Sequence, residues 1–320
     1  MRRVLIIAFE GFQMLDAAGP AEVFDGAAKL TGGGYQVQLA TPGGRQVRAG
    51  SGLRLEADVA LESARGPLDT LLVAGGFGVR AAAEDPVVVR HIGRLADRAR
   101  RVTSVCTGAE LLATAGLLDG RRATTHWAWC SALAEHHPDV IVEPDRIFVR
   151  DGNVATSAGV SAGMDLALAL VEEDHGPEVA RTVARWLVLF LQRPGGQSQF
   201  SERLAPPAPR TASLRPVLDS IAADPAADHR LGTLAARAAM SERHLVRRFA
   251  AELRTSPARF VERVRVETAR TALEEGATVE EAARRCGFSS GEVMRRAFLR
   301  VLGVTPSEYR QRFTTTLEAA

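Results

Sequence analysis

The segment Val102-Thr103-Ser104-Val105 reads as a strand that runs directly into Cys106-Thr107-Gly108 and then a helix, ended by Gly116. A residue on such a strand-to-helix turn is presented at the carboxyl edge of a sheet, beside the free N–H groups of a helix start. The positive helix end is expected to lower a thiol's pKa and to favour an anion there, which makes Cys106 a candidate nucleophile with Thr107 beside it. Gly75 and Gly76 close a second strand, Asp69 to Ala74, and offer backbone donors of the kind an oxyanion hole uses. Asp16 has two readings, a pocket residue or the N-cap of a helix beginning near Pro20, and the pocket role is the favoured one. His126 stands next to Trp127 and near Trp129. Such a group can wall a pocket for a quaternary ammonium ligand, or it can be the packed start of a helix; both readings stand at this point. Cys130 and Cys286 read as ordinary buried thiols.

A second chemistry lies near the other end of the chain, where arginines recur in duplicate. Ala239-Met240-Ser241 aligns with Gly287-Phe288-Ser289, Arg247-Arg248 with Arg295-Arg296, Phe249 with Phe298, and Ser256-Pro257 with Thr305-Pro306. The offset is 48 residues and becomes 49 after one inserted position, placed here after the paired arginines. Each copy has a short helix (233–238; 279–286), a tight turn and a second helix, which is the helix-turn-helix arrangement. Leu245 and Phe249 should face the core of the first copy, leaving Ser241, Glu242, Arg243, His244, Arg247 and Arg248 for DNA. In the second, Val293, Ala297, Phe298 and Leu302 supply packing, and Ser290, Gly291, Glu292, Arg295, Arg296 and Arg300 remain for DNA. Arginine suits both tasks, as a fork for guanine edges and as a charge for phosphates. Thr278 to Glu281, Ser289 to Glu292 and Thr305 to Glu308 all fit the capping-box spacing.

The elements that position these residues divide the chain in two. Strand-like and helix-like segments alternate up to about residue 190: a strand at 4–9, a helix at 20–30, a strand at 35–40, a helix at 86–100. A hairpin follows around Asp151-Gly152, then apolar helices at 161–173 and 177–191. This pattern predicts a doubly wound, mostly parallel α/β sheet over residues 1–193. Pro194-Gly195-Gly196 and Ala205-Pro206-Pro207-Ala208-Pro209 cannot continue a packed element, so 194–212 is the expected linker and 213–315 an all-α DNA-binding domain. Charge follows the same division. Residues 210–320 carry 19 Arg against 14 Asp and Glu, and the residues before them 21 Lys and Arg against 24 Asp and Glu. A basic module on a mildly acidic one points to a polyanion partner. Three widely spaced cysteines without metal-ligand spacing fit a reducing cytoplasm. No apolar run approaches a membrane span, and the short apolar stretch after Arg3 reads as a first strand.

These motifs carry two resemblances. Residues 231–265 and 278–313 resemble the paired helix-turn-helix units of AraC/XylS-type regulators, most specifically through Ala282-Ala283-Arg284-Arg285-Cys286-Gly287-Phe288, Phe298, Gly303, Thr305-Pro306 and Tyr309-Arg310. The helix at 257–273 would be the connecting helix. Ala239 stands where that family often has Gly, so the first turn is expected to be strained. Residues 1–190 resemble the ThiJ/PfpI, or class I glutamine-amidotransferase-like, fold. The matching residues are Gly11-Phe12, Leu15-Asp16, Gly19-Pro20, Gly75-Gly76, Ser104 to Ala109, Thr124 to Trp127 and Thr156 to Gly159. The combined architecture is similar to the GlxA-type subgroup of AraC regulators.

The resemblance implies a sequence-specific transcription regulator that senses a small metabolite near Asp16, Gly75, Gly76, Cys106, Thr107, His126 and Trp127. Members sensing arginine-like or betaine-like nitrogen compounds imply a nitrogen-containing effector. Hydrolytic members place His after the cysteine; here Thr107 cannot accept the thiol proton at neutral pH, so a non-catalytic domain is expected. The alternative is an isonitrile hydratase-like or amidase-like enzyme using Cys106, since isonitrile hydratase has an Asp and a Cys-Thr pair matching Asp16, Cys106 and Thr107. A redox sensor at Cys106 ranks last. The expected partners are double-stranded DNA, the effector, a second copy of the chain in a homodimer, and RNA polymerase. No cofactor, metal or membrane is expected, and the expected location is the cytoplasm.

Overall fold

The computed structural model describes residues 1–189, 191, 196–197 and 214–313, with side chains up to residue 311 in the last helix. The chain divides into two compact units, Met1–Arg193 and Pro194–Ala320. Apart from residues 196 and 197, the expected linker lies outside the described residues.

The first unit begins with β1 (Arg2–Ile7), α1 (Met14–Thr31), β2 (Tyr35–Thr41), β3 (Val47–Arg48), β4 (Arg54–Leu55), β5 (Val59–Ala60) and β6 (Leu68–Val73). It continues with α2 (Val79–Glu84), α3 (Pro86–Ala96), β7 (Ala99–Val105), α4 (Gly108–Thr114), β8 (Arg122–Ala123), α5 (Cys130–His136) and β9 (Ile141–Val142). The hairpin β10 (Phe148–Asp151) and β11 (Val154–Ser157) leads into α6 (Ala162–His175) and α7 (Pro177–Trp186). Seven strands form one sheet in the order β10-β11-β7-β6-β1-β2-β5, parallel throughout except for the β10–β11 hairpin. Val4 to Ile7 and Leu71 to Val73 are buried because helices cover both faces, which explains their unbroken apolar runs.

Several boundaries differ from the sequence reading. The first helix starts at Met14 rather than Pro20, which sits inside it, so Asp16 lies in its first turn and does not cap a helix at Pro20. The helix expected at 86–100 stops at Ala96, and Ala99 and Arg100 already belong to β7. The last helix of the unit ends at Trp186 instead of 191.

The second unit contains α8 (Arg215–Ala223), α9 (Leu231–Arg237), α10 (Glu242–Leu253), α11 (Pro257–Glu274), α12 (Val279–Arg285), α13 (Gly291–Leu302) and α14 (Pro306–Phe313). Its apolar residues form two small cores. Leu218, Leu234, Leu245, Phe249 and Phe260 make one; Leu273, Ala283, Met294, Phe298 and Tyr309 make the other. Helix α11 contributes Phe260 and Val261 to the first core and Val266 to Leu273 to the second, which makes it the shared beam of the repeat. The edge-on pairs Phe249–Phe260 and Phe298–Tyr309 stand in corresponding places.

Candidate functional sites

The expected strand-to-helix turn follows β7, and the structure adds that it is strained. Cys106 sits at φ 56°, a left-handed conformation that a side chain adopts only when its surroundings impose it. Its N–H is held by Ser157 and Ala158 carbonyls at 3.2 and 3.1 Å, and its own carbonyl accepts from Thr125 Oγ1 at 2.8 Å. Gly108 must follow, since a Cβ there would lie 2.3 Å from the Val73 carbonyl oxygen.

The thiol does not behave as the helix start alone would suggest. Cys106 is buried, and burial together with the neighbouring Asp16 carboxyl pushes its pKa up to about 12. The N–H groups of Thr107 and Val160 pull the other way, as expected of a helix start, but desolvation wins. Cys106 is therefore a neutral thiol at pH 7, which corrects the expectation of an activated thiolate.

The Gly75-Gly76 corner is equally committed. Gly75 N–H donates to Asp16 Oδ2 at 2.9 Å, and Gly76 N–H donates to Thr107 Oγ1 at 2.8 Å, whose hydroxyl returns the bond to the Gly76 carbonyl at 3.0 Å. Neither N–H is available to an oxyanion, which corrects that assignment. The glycines serve close packing: a Cβ on Gly75 would stand 2.5 Å from Thr107 N, and one on Gly76, at φ 140°, 2.5 Å from Gln13 N. Asp16 is fully buried, and its Oδ1 has no hydrogen bond of ordinary geometry. Desolvation raises its pKa to about 7, against the opposing pull of Gly75 N–H, the Cys106 thiol and Val160 N–H.

An open cavity of about 360 Å³ lies next to this corner, within the range of small-molecule sites. Thr107 is the one member of the expected pocket that lines it. Its polar and aromatic walls include Arg80 and Glu84 from α2, Glu110 from α4, and Trp129 with His136 at α5. Glu110 Oε1 pairs with His137 Nε2 at 3.0 Å and His136 Nδ1 at 3.3 Å. Trp129, not Trp127, is the aromatic wall. Trp127 lies against the His126 ring, with centroids 5.2 Å apart. His126 packs over Gly159, where a Cβ would meet its Cδ2 at 2.0 Å, and burial holds its pKa below the ordinary value. Asp16, Gly75, Gly76 and Cys106 form the packed floor behind the cavity rather than its surface.

In the second unit the turn between α9 and α10 holds Ala239 at φ 52°, and the turn between α12 and α13 holds Gly287 at φ 75°. Ala239 thus carries the expected strain. Gly287 could not be replaced so easily, because a Cβ there would lie 2.6 Å from Ala226 Cα. Ser241 and Ser290 cap the two second helices, accepting from His244 N and Val293 N at 3.3 and 3.2 Å. The capping boxes of Thr278 with Glu281 and Thr305 with Glu308 are formed. The Ser289–Glu292 box is not, since Ser290 is the cap and Glu292 pairs with arginine instead.

That cap also corrects the repeat register. The extra residue sits in the second turn, before the helix, so Ser241 corresponds to Ser290, Leu245 to Met294 and Phe249 to Phe298. Met294 is fully buried where Val293 was expected, and Val293 is half-buried. Gly291 is buried against α12, where a Cβ would meet Glu280 Oε1 at 2.3 Å, so it is a packing residue and not an exposed contact.

The arginines differ between the copies. On α10, Arg243 and Arg247 are exposed, and no ion pair to either is found among the described residues. His244 and Arg248 are half-buried, with Arg248 bridging His244 Nε2 and Glu252 at 3.3 Å each. On α13, Glu292 holds Arg295 through two bonds of 2.7 and 2.9 Å and lies 3.8 Å from Arg296. Arg300 is tied to Glu262 of α11.

A strand-turn-helix corner in a parallel sheet, joined to a paired helix-turn-helix unit, defines a DNA-binding transcription regulator with an amidotransferase-like first unit. The model of the DJ-1/PfpI family matches residues 2–173, and that of a helix-turn-helix domain matches 234–312. The chain is 30% identical to the HTH-type transcriptional regulator GlxA of Rhizobium meliloti, over 98% of this chain and 96% of that one. It is 39% identical to an isonitrile hydratase of Pseudomonas putida, over 55% of this chain and 74% of the enzyme. The crystal structure of a ThiJ/PfpI family protein from Pseudomonas syringae superposes with a TM-score of 0.54 at 25% identity, covering 74% of this chain and 88% of that one. The chain belongs to the DJ-1/PfpI family, in its branch of AraC-type transcription regulators that carry a C-terminal helix-turn-helix domain.

Sequence reasoning missed Arg80, Glu84, Glu110 and His136. Glu110 was within reach, lying in the first turn of α4, three residues after Thr107. Helix α2 has only six residues and no distinctive periodicity, so nothing in the sequence marks its side of the cavity.

Proposed function

We propose that residues 1–193 sense a small nitrogen-containing metabolite in the cavity beside Thr107, and that residues 213–315 transmit its presence as a change in operator affinity. The observation that carries this reading is the cavity itself, whose walls combine the rings of Trp129 and His136 with two carboxylates, Glu84 and Glu110, and one arginine, Arg80. An aromatic face and carboxylates suit a cationic nitrogen, and an arginine suits a carboxylate on the same molecule. The buried floor of Asp16, Gly75, Gly76 and Cys106 shapes the cavity without touching the ligand, and His126 with Trp127 supports its rim.

DNA contacts on this reading come from Ser241, Glu242, Arg243, Arg247, Ser290, Glu292, Arg295 and Arg296, with His244, Arg248 and Arg300 at the margins. The regulator acts in the cytoplasm as a homodimer, with RNA polymerase as its partner at the promoter. The neutral Cys106 thiol and the absence of a base at Thr107 favour a non-catalytic first unit. The test is promoter-fragment binding by the full chain with and without ammonium and guanidinium amino acids, at several salt concentrations. Binding without sequence preference or salt dependence overturns the DNA part. An affinity that no such compound changes overturns the sensing part. Turnover of isonitrile or amide substrates that disappears in Cys106→Ala would replace this reading with an enzymatic one.

A further inference from the structure

In the register set by the two serine caps, Arg243 of α10 and Glu292 of α13 occupy the same place, the second position of their helices. The duplicated modules therefore present opposite charges from equivalent sites, at the end of the recognition helix that meets base edges. Glu292 is exposed, is not needed for the cap, and holds the fork of Arg295 from one turn below. A carboxylate carried into the major groove meets phosphates on both sides. Its presence is tolerated only where a base offers it a hydrogen-bond donor, and cytosine N4 is the donor that suits a carboxylate.

We propose that Glu292 is a specificity-determining residue of the second helix-turn-helix unit, accepting a hydrogen bond from cytosine N4 and releasing Arg295 onto a guanine of a neighbouring base pair. The inference rests on the DNA-binding reading of this unit. Before DNA arrives, the ion pair keeps both groups on the groove-facing side of the helix and shields the arginine from random phosphates. At a site without the cytosine, the carboxylate has no donor and the arginine stays occupied, so the pair penalises wrong sequences more than it strengthens right ones. Arg243 at the equivalent place of α10 has no such partner among the described residues, and reads guanine or phosphate directly. The two half-sites consequently differ in sequence although the modules are duplicates.

The test is selection from a randomised duplex pool with the full chain, its Glu292→Gln variant and its Glu262→Gln variant. Glu262 holds Arg300 and braces α13 on α11, so the last variant loosens the helix without touching its tip. The expected result is one column of the selected motif that is cytosine for the wild type and flat for Glu292→Gln. Discrimination at that base pair should fall about tenfold, while binding to unrelated duplex rises and the Glu262→Gln variant keeps the cytosine column, whatever release of Arg300 does to overall affinity. An unchanged motif for Glu292→Gln overturns the proposal, and so does loss of the same column in Glu262→Gln, which would make Glu292 a brace only. A pool that the wild type itself fails to enrich refutes the DNA-binding reading instead.

Discussion

Replacing Asp16 with asparagine should make the pH dependence of stability visible as a single-residue effect. The carboxyl is fully buried and its pKa is raised from 3.8 to about 7. Because the folded-state pKa lies above the unfolded one, the folded chain holds the proton more tightly across that window. Its stability consequently falls as pH rises from about 4 to about 7 and is level above it. The full displacement corresponds to about 4 kcal/mol at 1.36 kcal/mol per pH unit. Of that penalty about 1.5 kcal/mol is already in place at pH 5, so about 2.5 kcal/mol develops between pH 5 and pH 8. The asparagine side chain carries no charge at any of these values. Its lost and altered hydrogen bonds add a constant, and the groups that titrate nearby, His126 among them, cancel in the difference. Trp127, Trp129 and Trp186 all lie in the first unit, so urea unfolding of the full chain followed by tryptophan fluorescence reports that unit selectively. The Asp16→Asn variant should gain about 2.5 kcal/mol on the wild type between pH 5 and pH 8. A difference that stays constant across the range would mean that Asp16 titrates near its ordinary value and that its burial is relieved by water.

Three further outcomes follow from the same geometry. Ala239→Gly should stabilise the second unit by about 1 kcal/mol by relieving a left-handed alanine, whereas Gly287→Ala should destabilise it by about 2 kcal/mol or more, since it adds the contact with Ala226 to the same strain; thermal melts followed by far-ultraviolet circular dichroism distinguish them. Trp129→Ala should raise the concentration of effector needed to alter DNA binding by about tenfold, in line with about 1–2 kcal/mol for a lost cation–aromatic contact; Trp127→Ala, measured in the same titration, should leave it within about twofold. Cys106 in the wild type should react with iodoacetamide far more slowly at pH 7 than a free cysteine, and Asp16→Asn should speed the reaction by removing the adjacent negative charge; peptide mapping after timed quenching measures both.

The features legible in the sequence are those whose cause is local. The strand-turn-helix at Cys106 is written in four consecutive strand residues and the glycine that follows the turn, and the helix caps at Thr278 and Thr305 in residues three apart. The cavity is not local. Its walls come from α2, the start of α4 and the segment around Trp129, which only the folded sheet brings together. The acidity of Cys106 is illegible in the sequence for a related reason. A helix start nearby can be inferred from the sequence, but the burial that outweighs it, and the Asp16 carboxyl contributed by a helix 90 residues earlier, belong to the tertiary structure.

The register of the repeat shows how a one-residue ambiguity alters a functional reading. Aligning the paired arginines in sequence puts Arg247 with Arg295 and makes the two recognition helices alike. Packing decides otherwise, because Leu245 and Met294, and likewise Phe249 and Phe298, are the fully buried pairs and a helix cannot turn by about 100° without exposing them. In the packed register Arg247 corresponds to Arg296, Val246 to Arg295 and Arg243 to Glu292. The duplication has therefore preserved the buried face and diverged on the exposed one, most sharply in the first turn, where a change of charge changes which base can be read. A duplicated scaffold with opposite charges at equivalent tips is suited to an asymmetric half-site pair, and a symmetric operator sequence within one protomer's footprint would contradict that reading.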